Sequence, residues 1–124
     1  MAIDWRTMVR GPGLAVEGDG VEVTLGDQRL HRVSVQELAE CILLRAVVTS
    51  ASITKRIETP VVETWTRNRG ARLTNFYVDA RGRLVGEATV PLAGLAGDEL
   101  SFCVRKLAEE CDRFEQNLTG RDVE

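Results

Sequence analysis

The chain has 124 residues, 44% hydrophobic, 28% charged and only 5% aromatic, with three cysteines and a net charge of -3. That profile predicts one soluble globular domain over residues 1–124, built on an aliphatic core and needing no disulfide or metal staple. The acidic balance argues against a nucleic-acid partner, no apolar run approaches the ~20 residues that span a bilayer, and the start lacks a signal-peptide pattern, so the cytoplasm is the expected compartment.

In chain order, a short N-terminal segment carries Trp5, Met8 and Val9, and Gly11-Pro12-Gly13 should end any helix there. Val21, Val23 and Leu25 alternate, Gly26-Asp27 offers a turn, and Leu30 to Val35 is again β-rich, which predicts a hairpin. Cys41 to Thr49 is apolar on both faces apart from Arg45. A helix from Val35 to Val48 is the rival reading, and the β-branched run Val47-Val48-Thr49 favours the strand.

Thr59-Pro60 is a helix start, with Val61, Val62 and Trp65 on one face and Gly70 at the end; Ile53 and Ile57 extend the stripe upstream. Arg72 to Ala80 and Leu84 to Leu92 form the firmest hairpin, around Asp79-Ala80-Arg81-Gly82. A final helix capped by Asp98 has Leu100, Val104, Leu107, Cys111, Phe114 and Leu118 at helical spacing, with residues 121–124 frayed beyond it. The expected fold is an α+β domain with an antiparallel sheet in the order (α)-β-β-β-α-β-β-α, helices packed on one face.

Catalytic chemistry finds little support. His31 is the only histidine, lies beside Arg32, and reads as a surface strand residue; no second catalytic group can be set beside it from spacing. No CxxC or zinc-type spacing occurs, so neither a metal nor a cofactor is expected, and each cysteine reads as a small hydrophobe. Cys103 and Cys111 lie ~12 Å apart along one helix, too far to bridge. Glu109, Glu110, Asp112 and Glu115 alternate with Arg105, Lys106 and Arg113, which suits a solvated helix face. Arg67-Asn68-Arg69 with Arg72 is a small basic patch at a helix C-terminus, where the dipole already explains it.

The more telling feature is apolar residues on both faces of the later strands. Phe76 and Val78 oppose Leu73 and Tyr77, and Leu84, Ala88 and Val90 oppose Val85. With helices on one face, the other set calls for a partner or leaves a patch.

The run from Pro60 through Trp65-Thr66-Arg67-Asn68-Arg69, the strand ending in Asp79-Ala80-Arg81-Gly82-Arg83, the Pro91-Leu92 exit and the final amphipathic helix together resemble the YbjN-like proteins and the related type III secretion chaperone-like superfamily. The resemblance covers about half the chain. It implies a class I secretion chaperone-like fold and a non-enzymatic homodimer that binds a client polypeptide. It places the dimer seam at Val61, Val62, Trp65, Phe76 and Val78, and the client surface at Leu30, Val33 and Val35. The short N-terminal helix departs from the longer one of secretion chaperones. The alternative reading is a regulatory or sensor domain of the YbjN type, serving stress or signalling and binding a small ligand on the sheet.

Overall fold

A computed structural model describes residues 4–26, 29–57, 64, 67–69 and 74–119. Its elements run α1 (Trp5–Met8), β1 (Leu14–Glu17), β2 (Gly20–Thr24), β3 (Leu30–Glu37), β4 (Cys41–Thr49), α2 (Ala51–Thr54), β5 (Asn75–Val78), β6 (Leu84–Pro91) and α3 (Gly97–Thr119). Residues 64 and 67–69 are also helical. Of the helix expected from Pro60 to Gly70, the remaining positions, including Val61, Val62 and Trp65, lie outside the described residues, as do 120–124.

The strands form one six-stranded sheet in the order β1-β2-β3-β4-β6-β5, with every neighbouring pair antiparallel. Five strands were expected, and the sixth is β1. Leu14 to Glu17 is too short to show an alternation of its own, and forms by pairing Leu14 with Val23 through to Glu17 with Gly20. Cys41 to Thr49 is a strand, and the helix rival is set aside: β4 pairs β3 on one side and β6 on the other.

The pleat sends alternate residues to opposite faces, and α3 lies across one of them. Val21, Val23, Val33, Val35, Ile42, Leu44, Ala46, Leu84, Ala88 and Val90 from the strands meet Leu100, Val104, Leu107, Ala108, Cys111 and Phe114 from the helix in one core. Trp5 joins it from α1, and Ser101 of α3 holds α1 and the residues after it: its Oγ donates to Met8 O at 3.4 Å and accepts from the Arg10 backbone N–H at 3.0 Å. The helix seats closely because β6 carries glycine at position 86. A β-carbon there would lie 2.5 Å from Cys111 Sγ and 3.0 Å from Phe76 Cε1.

One local expectation changes. Asp98 sits within the first turn of α3 rather than capping it, and the start is closed by Glu99, whose Oε1 accepts from the Ala96 N–H at 3.0 Å. Ser50 caps α2, accepting from Ile53 N–H at 3.4 Å; the cap expected at Thr59 lies outside the described residues. The β5–β6 turn is as expected: Asp79 Oδ1 accepts from the N–H groups of Arg81 (3.0 Å) and Arg83 (2.8 Å), and Gly82 takes φ +80°. No described helix is long and apolar enough to cross a membrane.

Candidate functional site

The face of the sheet opposite α3 is where the two-sided apolar strands lead. Leu43, Arg45 and Val47 of β4 point there, next to Val85 and Glu87 of β6 and Tyr77 of β5. Arg45 and Glu87 are directly opposed in register, an arrangement that favours opposite charges. Glu87 Oε2 accepts from Arg45 Nε at 3.2 Å and Nη2 at 2.9 Å, and from the Tyr77 hydroxyl at 2.8 Å.

Hydrogen bonding to Glu87 raises the Arg45 guanidinium further, while burial first, then the bond to Glu87, pushes the Tyr77 hydroxyl up. Arg45 and Tyr77 therefore both keep their protons near neutrality. A carboxylate oxygen committed to three donors is a clasp across three strands and a poor proton acceptor for a substrate. The same face also carries Val47, 37% exposed, and Leu30 on β3, 63% exposed, among polar positions such as Arg32, Ser34 and Thr89, while Val85 is buried.

The residues expected to bind a client separate at this level. Leu30 lies on this open face. Val33 and Val35 have the opposite parity on the same strand and are buried in the core beneath α3. Grouping the three on one surface is therefore corrected by the pleat: only Leu30 is available without displacing the helix. Of the residues expected at the dimer seam, Phe76 is buried and meets Phe114 edge-to-face with ring centroids 4.8 Å apart. Val78 is partly buried against the same core.

Next to it, Asn68 binds the outer edge of β5: its Nδ2 donates to Phe76 O at 3.0 Å, and Phe76 N–H donates to its Oδ1 at 2.7 Å. A strand cannot add to β5 at that position. Arg67 stacks 4.7 Å over the Phe114 ring. This part of the basic patch thus packs against the protein instead of presenting an anion site.

His31 differs most from its sequence reading. The β3–β4 ladder runs only from Ser34↔Arg45 to Glu37↔Ile42, while β3 continues beside β2 to Leu30↔Thr24 and β4 beside β6 to Thr49↔Leu84. Among the described residues the sheet parts between β3 and β4 at this end. His31 spans the opening, with Nε2 3.0 Å from Val47 O. On the helix side it meets Asp112 and Glu115, the side-chain donor atoms of all three lying within 4.8 Å of one another.

Asp112 was expected on a solvated helix face; it is 7% exposed, and Arg29 grips both its oxygens, Nε to Oδ1 at 3.2 Å and Nη2 to Oδ2 at 2.8 Å. Sequence spacing could not show this, because the partners are 83 residues apart. The three cysteines are free thiols; Cys111 is buried, while Cys41 and Cys103 are half-buried.

A family model described as "Putative bacterial sensory transduction regulator" (YbjN) matches residues 15–119. No curated protein matches the chain.

Proposed function

This chain belongs to the YbjN family, and we propose on that premise that it is a non-enzymatic regulatory module. In this reading it is a cytoplasmic homodimer that holds a partner polypeptide on the sheet face opposite α3. The observation that carries the reading is the exposure of Leu30 and Val47 on that face, beside a clasp of Arg45, Glu87 and Tyr77 whose charges are already satisfied. Apolar anchors with a polar, internally paired surround are what a peptide-binding surface requires. The non-enzymatic reading is supported by the same clasp, in which Glu87 Oε2 is engaged by three donors from Arg45 and Tyr77. On this reading the dimer seam comprises Val61, Val62, Trp65, Phe76 and Val78; of these, Phe76 lies in the core and Val78 packs against it.

Two measurements test this. Light scattering at micromolar concentration should give a dimer that Trp65→Asp converts to monomer; a monomeric wild type overturns the dimer. A photo-crosslinking side chain at position 30 should give discrete protein adducts in the host that are lost on Val47→Glu. The same side chain at Glu40, exposed in the β3–β4 connection, should give none. Equal labelling at both positions, or none at position 30, overturns the surface.

A second reading, small-ligand sensing, is favoured by one feature. A cleft of about 320 Å³ opens between Pro91, Ala93 and Leu95 and the side chains of Glu99 and Cys103 on α3. That volume is at the small end of ligand sites. Saturable thermal stabilisation by a metabolite, abolished by Ala93→Trp, would favour this reading over the first.

A further inference from the structure

We propose that His31, Asp112 and Glu115 form a binding site for one divalent transition-metal ion, Zn²⁺ being the representative probe. The site stands apart from the sheet face discussed above, on the helix side of the opening between β3 and β4. One imidazole and two carboxylates from two separate elements bring their donor atoms within 4.8 Å of one another. Coordination at bond lengths of about 2.0–2.2 Å needs only small side-chain adjustments from that spacing. Asp112 and Glu115 are three apart on α3 and so share a helix face, while His31 approaches from β3.

The second observation concerns the ring itself. Its Nε2 faces the Val47 carbonyl at 3.0 Å. A carbonyl oxygen can only accept, so Nε2 carries the proton, and in the neutral ring Nδ1 holds the lone pair. Metal-ligating histidines are held in this manner, one ring nitrogen donating to a backbone carbonyl and the other free to coordinate. Val47 O is free for the task because the β3–β4 ladder ends at Ser34↔Arg45.

Arg29 occupies one lone pair on each Asp112 oxygen, at 3.2 and 2.8 Å, which orients the carboxylate and leaves each oxygen a second lone pair. The imidazole selects a transition-type ion over Mg²⁺ or Ca²⁺, which prefer all-oxygen sites. A bound ion would tie the first half of β3 to the second half of α3, where β3 and β4 share no ladder.

The test is calorimetric titration of the full chain with ZnCl2 at pH 7.5, with MgCl2 in parallel. The expected result is one Zn²⁺ per chain, at least tenfold weaker binding in His31→Ala and in Glu115→Gln, and at least tenfold weaker binding at pH 5.5, where protons compete for the ligands. Cys41→Ser/Cys103→Ser should bind as wild type. Glu115→Gln is isosteric and keeps the site testable if His31→Ala does not fold. Absence of Zn²⁺ binding, wild-type affinity in Glu115→Gln, loss of binding in the cysteine variant, or equal affinity for Mg²⁺ each overturns the assignment.

Discussion

Gly86→Ala is the sharpest test of how α3 is seated. Gly86 lies on the buried face of β6, opposite Ala46 of β4 and Phe76 of β5. A β-carbon there meets Cys111 Sγ at 2.5 Å, with Phe76 Cε1 and Thr74 Cγ2 both at 3.0 Å. Non-bonded heavy atoms settle at about 3.5–4.0 Å, so the methyl is roughly 1 Å too close to the sulfur. Overpacking a well-filled core costs about 1–3 kcal/mol. Removing glycine's freedom from the unfolded chain returns about 0.4–1 kcal/mol. The net is a loss of about 1–2 kcal/mol and, for a chain of this size, a Tm lower by roughly 3–10 °C.

The assay is urea denaturation of Gly86→Ala, Cys111→Ala and the double variant. Since the sulfur makes the closest contact, the double variant should be more stable than the sum of the singles by about 1 kcal/mol. Wild-type stability in Gly86→Ala, or strict additivity in the double, refutes the close seating of helix on sheet.

Two further outcomes follow from titratable groups. Burial first, then the neighbouring Glu110, pushes the Cys111 thiol well above its ordinary range. Below about pH 8.5 the thiol is protonated in both states; above it the unfolded chain loses the proton and the native one keeps it, so stability should fall by about 1.4 kcal/mol per pH unit. Cys103 and Tyr77 shift in the same direction, so Cys111→Ala should flatten the alkaline limb of a urea-midpoint profile without abolishing it; an unchanged limb refutes the assignment. At the β5–β6 turn, burial alone would raise the Asp79 carboxyl, but the Arg83 and Arg81 N–H groups and the Arg83 side chain outweigh it and hold it below its ordinary value. That contribution is present above about pH 3.9 and lost as pH falls through and below it. Asp79→Ala should cost about 1–2 kcal/mol at pH 7 and less at pH 3, read from urea midpoints. An equal loss at both pH values counts against it.

Local pattern determined much of this protein. The 3.6-residue recurrence from Leu100 to Phe114 defined α3 and its buried stripe, and Asp79 to Gly82 defined a turn, because helix periodicity and turn chemistry are written in neighbouring residues. The motifs from Trp65 to Phe114 pointed to the family that matches residues 15–119. Tertiary structure alone decided the rest. β1 exists because β2 offers it an edge. Leu30 parts from Val33 and Val35 because adjacent parities on one strand face opposite ways, and only the placement of α3 determines which face is open. Asp112 leaves the solvated helix face for Arg29, and His31 gains Asp112 and Glu115, through contacts between residues about 80 positions apart in the chain. Spacing along a chain carries no signal at that range; it takes a sheet that parts between β3 and β4, and a helix laid over the opening, to bring such residues together.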